Sequence, residues 1–146
     1  MERKIVHVVG TGTIGEPLIG ILCEQKSNLG IDEVTFHKQS PLTKDAPKIK
    51  NLMAKGARLS VHEDRVESFK EIGLEPEFTM EEAVSRSSVV IDCTPKGFGH
   101  KNKLDFYEKY ADKVKGFLAQ GSEDGFGKKY ARGINDHVIN SEDQFL

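Results

Sequence analysis

Short apolar runs alternate with longer amphipathic segments along the chain, and this alternation predicts its secondary structure. The apolar runs predict strands at residues 4–9, 33–37, 58–61, 74–78, 88–93 and 115–119. The amphipathic segments predict helices at residues 13–26, 48–55, 63–72, 79–85 and 101–110. Because strands that alternate with helices are typical of βαβ units, we predict an α/β fold, a Rossmann-like, doubly wound, mostly parallel sheet with helices on both faces.

Two segments carry detail beyond this outline. In the first helix, Ile14, Leu18, Ile21 and Leu22 share one face, which we expect to pack on the sheet. The unbroken run of residues 89–91 is typical of a central parallel strand that is buried on both faces. Residues 39–47 and the stretch after residue 120 lack either pattern and are predicted to be loops.

A glycine motif, G-x-G-x-x-G, follows the first predicted strand and leads directly into the first predicted helix. This strand–turn–helix context is the one that a dinucleotide-binding fingerprint needs. Glycine allows the tight turn and the close approach of a pyrophosphate, which the unpaired N–H groups of a helix N-terminus attract. The predicted phosphate-binding residues are Gly10, Thr11, Gly12, Thr13, Ile14 and Gly15. The alternative is a glycine-rich turn that binds nothing.

The end of the second strand predicts which dinucleotide is bound. NAD sites place Asp or Glu there, to bind the ribose 2′-hydroxyl. This strand ends instead in a segment with Lys38 and Ser40 and no carboxylate, while Asp32 and Glu33 precede the strand and lie at its other end. We therefore predict that Lys38 and Ser40 bind a 2′-phosphate and that NADP is preferred over NAD. The alternative is that Lys38 is an ordinary solvated lysine.

Two further loops follow the strands at residues 88–93 and 115–119. In a doubly wound sheet, ligands bind beyond the carboxyl ends of the strands, so both loops are expected beside the glycine turn. Thr94, Pro95 and Gly97 are predicted to contact the adenosine or the pyrophosphate. Gln120 and Gly121 are predicted to approach the nicotinamide half of the cofactor.

Composition narrows the class of protein. A chain of 146 residues with 37% hydrophobic and 30% charged residues predicts one folded domain, residues 1–146. Its net charge of −2 gives no general attraction to nucleic acid or to a membrane surface. The two cysteines, Cys23 and Cys93, form no disulfide framework and no metal-ligand spacing, which favours buried thiols in the cytoplasm. The histidines are scattered, and no metal site is predicted.

Three motifs together resemble the N-terminal NAD(P)-binding domain of the archaeal type (type II) of phosphorylating glyceraldehyde-3-phosphate dehydrogenase. They are V-G-T-G-T-I-G at residues 9–15, D-C-T-P-K-G-F-G-H-K-N at residues 92–102 and Q-G-S-E at residues 120–123. The corresponding family patterns read N-G-[YF]-G-T-I-G, D-A-T-P-G-G-[IV]-G-x-K-N and Q-G-G-E. Their order and approximate spacing agree, so the resemblance covers essentially the whole chain.

The resemblance implies a tetrameric glycolytic enzyme that uses NADP or NAD and forms 1,3-bisphosphoglycerate through a catalytic cysteine. The family's cysteine lies in an S-C-N-T setting, which this chain does not contain. Neither Cys23, within a predicted helix, nor Cys93, at the end of a strand, suits that role, so no catalytic residue is predicted. We therefore expect this chain to be the cofactor-binding half of an oxidoreductase. It is expected to be inactive alone, because it needs a catalytic domain as its partner. The full-length enzyme is expected to be a homo-oligomer.

Two other functions fit the residues. One is a free-standing dinucleotide-binding or sensing module without catalysis of its own. The other is the cofactor domain of another two-domain dehydrogenase, of the aspartate-semialdehyde or homoserine type.

Overall fold

A computed structural model describes residues 2–146, and Met1, the first residue of the predicted domain, lies outside the described residues. Within them, six strands form one sheet: β1 (Ile5–Val9), β2 (Glu33–His37), β3 (Arg58–Val61), β4 (Phe78–Thr79), β5 (Val89–Asp92) and β6 (Gly116–Ala119). The α-helices are α1 (Gly15–Glu24), α2 (Lys26–Leu29), α3 (Ala46–Ala54), α4 (Val66–Glu71), α5 (Met80–Arg86) and α6 (Phe98–Asp105). Single 3₁₀ turns cover Thr43–Asp45, Glu63–Arg65, Tyr107–Tyr110 and Asp136–Val138.

The strand order confirms the doubly wound sheet. The order is β4-β3-β2-β1-β5-β6, and every neighbouring pair is parallel. The chain therefore begins in the middle of the sheet, winds outward to the β4 edge, and then returns to build the β6 edge. Between β1 and β5 the direction of winding reverses, and the segments leaving their carboxyl ends diverge there. That reversal leaves a crevice in which ligands bind in sheets of this kind.

Side chains that alternate along β1 define two separate cores, one on each face of the sheet. Val8 is fully buried against α1 and α3, which contribute Ile19 and Ile49. Val9 packs on the opposite face with a second cluster, to which α5 contributes Val84. Helices thus cover both faces, as the sequence predicts. None of the helices in residues 2–146 combines the length and the hydrophobicity that a bilayer crossing requires.

The predicted buried face of the first helix is wrong in two positions. Ile14 and Ile21 are 50% and 55% exposed. The helix buries Leu22, as predicted, but its other buried residues are Gly15, Ile19 and Gly20. Its inner face begins at a glycine and includes a second one, and glycine contributes nothing to a hydrophobic pattern. The pattern therefore indicated a face that is rotated from the true one.

Three other predictions differ from the structure. In β5, Val90 is buried but Val89 and Ile91 are only partly buried, so the strand is not enclosed on both faces. The predicted strand at residues 74–78 is reduced to Phe78–Thr79 at the sheet edge. Helix α3 begins at Ala46, within the predicted loop, because Pro47 is tolerated in a first turn, where its missing N–H costs little.

A buried polar row crosses strands β1 to β3 on the Val9 face. The Nδ1 atom of His7 lies 2.7 Å from the Thr35 hydroxyl, and the Nδ1 atom of His37 lies 3.4 Å from the Ser60 hydroxyl. Burial lowers the pKa of His7 to about 3 and the pKa of His37 to about 4. Both imidazoles are therefore neutral at pH 7.

Candidate functional site

A cleft of about 550 Å³ lies at the carboxyl ends of β1, β2 and β5, where the winding of the sheet reverses. Its lining includes residues from all the regions that the sequence singled out: Gly10, Thr11, Gly12, Thr13, Ile14, Lys38, Gln39, Asp45, Lys48, Cys93, Thr94, Pro95 and Gln120. The glycine turn, the end of β2 and the loops after β5 and β6 thus meet in one place.

The three glycines of the turn have different structural roles. Gly10 has φ +102°, and a Cβ there would lie 3.1 Å from the Cys93 carbonyl oxygen, at the end of β5. A Cβ on Gly15 would lie 2.0 Å from the Gly10 carbonyl oxygen, so the first turn of α1 packs directly on the glycine turn. A Cβ on Gly12 would meet no atom within 4 Å. Gly12 therefore faces open space at the cleft, while Gly10 and Gly15 are required by packing.

Helix α1 presents an N-terminus that no side chain caps among the described residues. Its N-cap is Ile14, which has no polar side chain. Helix α6 differs, because the buried Glu123 carboxylate accepts hydrogen bonds from the amides of Gly97 at 3.0 Å and His100 at 3.1 Å. N–H groups at a helix N-terminus favour an anionic partner, and at α6 the protein already supplies one. Of these two helices, α1 is the one suited to an anionic ligand.

Buried Asp92 shapes the loop after β5. It accepts hydrogen bonds from the Thr94 amide at 2.9 Å and from the Thr94 hydroxyl. It also accepts from Asn102 Nδ2 at 2.9 Å and from the Tyr107 hydroxyl at 2.5 Å, and burial together with this carboxylate raises the pKa of Tyr107. Gln120 then donates to the Thr94 carbonyl at 2.5 Å. The loops after β5 and β6 are thereby tied together at the cleft.

Two charged residues that the sequence analysis missed complete the cleft beside Lys38. The Lys38 ammonium lies 2.7 Å from the Asp45 carboxylate. The Lys48 ammonium donates to the Thr11 carbonyl at 2.9 Å, which links α3 to the glycine turn. The sequence offers one signal for Asp45 and Lys48: both follow β2 closely, and the chain that leaves the carboxyl end of β2 starts at the cleft.

Four predicted site residues do not line the cleft. Gly15 lies beneath it, against Gly10. The Ser40 carbonyl accepts from the Leu42 amide in its own loop, and the Gly97 amide is bound to Glu123. Gly121 lines a neighbouring cavity. Contacts of these four residues with a ligand stay predictions.

The acidic residue at the start of β2 has a structural role at the opposite end of the sheet. Glu33 is 4% exposed and forms ion pairs with Arg3 at 3.2 Å, Arg58 at 2.9 Å and Arg86 at 2.8 Å. Burial opposes ionisation, but the three guanidinium groups outweigh it and lower the pKa of Glu33. Because Glu33 lies at the amino end of β2, it is remote from the cleft.

Neither cysteine is an activated nucleophile in this structure. Cys93 lines the cleft, but burial and the neighbouring Asp92 raise the pKa of its thiol to about 11. Burial also raises the pKa of Cys23. Both are protonated at neutral pH, whereas the thiolate is the reactive form. Across residues 2–146, no three His, Cys, Asp or Glu side chains are grouped so as to hold a metal ion.

The sheet order, the glycine turn and the uncapped helix α1 define a Rossmann-like α/β domain of the dinucleotide-binding class. No family model matches the chain. Archaeal glyceraldehyde-3-phosphate dehydrogenases are among its homologues, which confirms the resemblance that the motifs indicate.

Three of these relatives show how much of the chain is shared. The Pyrobaculum arsenaticum enzyme is 34% identical over 121 residues, which cover 82% of this chain and 32% of the relative. The Methanobacterium formicicum enzyme is 32% identical over an alignment of 151 positions, which covers 90% of this chain and 41% of the relative. The Methanopyrus kandleri enzyme is 43% identical over 74 residues, covering 47% and 20%. The chain spans about a third of the length of the first curated relatives it matches.

Proposed function

We propose that this chain binds a nicotinamide dinucleotide in the cleft, as the cofactor-binding half of a glyceraldehyde-3-phosphate dehydrogenase-like oxidoreductase. Such an enzyme oxidises an aldehyde and transfers the hydride to NADP or NAD. The observation that carries the proposal is the open turn at Gly12, which lies in front of the uncapped N-terminus of α1. A pyrophosphate fits there, because N–H groups and the helix dipole favour its charge and no side chain fills the space.

The remaining lining residues fit the two halves of the cofactor. The pyrophosphate would contact the backbone of Gly12 and Thr13, with the Lys48 ammonium nearby. The adenosine ribose would lie toward the end of β2 and Lys38. The nicotinamide would lie toward Gln120, on the other side of the turn. All of these residues line one cleft, and the position of β1 between β2 and β5 supports this division.

We propose further that NADP is preferred over NAD, through contact of the Lys38 ammonium with the 2′-phosphate. Replacing Lys38 by alanine should weaken NADP binding by about 10- to 100-fold, since a charge-assisted contact contributes about 1.5–3 kcal/mol. NAD, which lacks the phosphate, should bind nearly as before. Titration of both cofactors by calorimetry measures the two affinities.

Lys44→Ala is the matched control for this variant, because Lys44 is an exposed lysine of the same loop that does not line the cleft. It should leave both affinities nearly unchanged. Equal losses for NADP and NAD in Lys38→Ala would contradict a contact with the 2′-phosphate.

We also propose that the chain by itself does not oxidise glyceraldehyde 3-phosphate. Thiohemiacetal chemistry needs an activated thiolate, and the thiols of Cys23 and Cys93 are protonated at neutral pH. An assay of the purified chain with glyceraldehyde 3-phosphate, phosphate and NADP should detect no turnover. Turnover that disappears in Cys93→Ser would contradict this assignment.

Three expectations stay predictions. They are that a catalytic domain is the partner of this chain, that the full-length enzyme is a homo-oligomer, and that it lies in the cytoplasm.

A further inference from the structure

At the carboxyl end of β2, Lys38 forms an ion pair with a carboxylate that comes from the following loop and not from the strand itself. Asp45 belongs to the 3₁₀ turn before α3, and its carboxylate reaches Lys38 at 2.7 Å. The two side chains are only 18% and 13% exposed, and both residues line the cleft. We propose that Asp45 sets the cofactor selectivity of this cleft, by accepting a hydrogen bond from the ribose 2′-hydroxyl of NAD and by competing with the 2′-phosphate of NADP for Lys38. This inference rests on the proposed dinucleotide binding.

Local geometry explains why the Asp45 carboxylate is available to the cleft. Asp45 is the N-cap of α3, where an aspartate ordinarily accepts a hydrogen bond from the amide two or three positions on. Here it makes no such bond, and the residue two positions on is Pro47, which has no N–H. The carboxylate pairs with Lys38 instead. The Asp45 carboxylate therefore lines the cleft instead of capping its own helix.

The position of the pair gives each group a defined effect on the two cofactors. NAD sites bind the 2′-hydroxyl through a carboxylate at the end of the second strand, and Asp45 supplies one at that place from the next loop. A 2′-phosphate is attracted by Lys38 but must approach or displace the carboxylate already bound there. Lys48 adds a second positive charge on the side of the glycine turn. The arrangement attracts NADP through Lys38, while Asp45 limits that preference and retains NAD.

The variant Asp45→Asn tests this division of roles. It removes the negative charge and keeps the size of the side chain. We expect NADP to bind about tenfold more tightly, because a like charge beside the phosphate is removed. We expect NAD to bind about threefold more weakly, because a neutral amide is a poorer acceptor than a carboxylate for the 2′-hydroxyl. Isothermal titration of wild type and variant with both cofactors gives the selectivity ratio directly.

Two additions separate selectivity from general charge effects. Asp112→Asn removes the same charge from an exposed residue that precedes β6, at the opposite end of the sheet, and should leave the ratio unchanged. Adenosine 2′,5′-bisphosphate and adenosine 5′-monophosphate, which differ only in the 2′-phosphate, should reproduce the change in ratio without any nicotinamide. Thermal melting of each variant establishes that it is folded.

The outcomes distinguish the inference from the proposed function. If wild type binds the dinucleotides but Asp45→Asn leaves the ratio unchanged, or strengthens both ligands equally, the role of Asp45 is overturned and dinucleotide binding stands. If folded wild type binds none of the four nucleotides, the proposed function fails, and the role of Asp45 fails with it.

Discussion

Replacing Gly15 by alanine should lower the free energy of unfolding by about 3 kcal/mol or prevent folding. The added methyl group would lie 2.0 Å from the Gly10 carbonyl oxygen and 2.7 Å from its carbonyl carbon. Both atoms belong to the backbone, so no side-chain rotation relieves the overlap. The first turn of α1 and the glycine turn would have to separate, which disturbs β1, one of the two central strands of the sheet. Denaturant unfolding followed by circular dichroism measures the loss.

Gly12→Ala is the matched control within the same motif. Its methyl group would meet no atom within 4 Å, so the free energy of unfolding should change by no more than about 0.5 kcal/mol. If Gly15→Ala unfolds at the wild-type denaturant concentration, α1 does not pack directly on the glycine turn.

Acidification should destabilise the protein well above the pH at which carboxylates titrate. The native pKa values of about 3 for His7 and about 4 for His37 lie below the ordinary value of 6.5, so the unfolded chain takes up these protons first. The stabilisation is therefore complete above pH 6.5 and is lost as the pH falls from 6.5 toward 4 for His37 and toward 3 for His7. Each histidine contributes about 1.4 kcal/mol per pH unit, so unfolding at pH 5 should cost about 4 kcal/mol less than at pH 7.5.

Two histidine variants isolate this effect. His7→Gln keeps a polar side chain beside Thr35 but cannot take up the proton, so it should lose about 2 kcal/mol between pH 7.5 and 5 instead of about 4. His137→Gln changes an exposed histidine and should retain the full pH dependence. A flat stability profile for wild type between pH 7.5 and 5 would contradict neutral, buried imidazoles in the native state.

The order of elements and the class of fold were predictable from the sequence, because the short apolar runs of strands differ strongly from the amphipathic spacing of helices. The errors arose where packing overrides the pattern. The inner face of α1 carries Gly15 and Gly20, which give no hydrophobic signal, so the pattern places the exposed Ile14 and Ile21 on the packing face. The apolar run in β5 suggested burial on both sides, yet Val89 lies on a face that the helices cover only partly.

The candidate site was predictable in part, for a topological reason. Loops at the carboxyl ends of neighbouring parallel strands meet, so Lys38, Thr94 and Gln120 were expected to lie beside the glycine turn. Asp45 and Lys48 were missed because their approach depends on how the loop after β2 folds back, and no local pattern encodes that.

Several motif residues act on the shape of the site rather than facing the cleft. Glu123 caps α6 by accepting from Gly97, and Asp92 holds the loop after β5. Their side chains are buried and bonded within the protein. Spacing along the chain could not distinguish these contacts from contacts with a ligand.

Whether the cofactor binds at the glycine turn is tested most directly by titrating NADP into the wild-type chain and into Gly12→Val, with binding followed by calorimetry. Wild type should bind, and the variant should bind more than about tenfold more weakly at unchanged melting temperature, since its side chain fills the space proposed for the pyrophosphate. Equal NADP affinity of the two folded proteins would contradict the placement of the cofactor at the glycine turn.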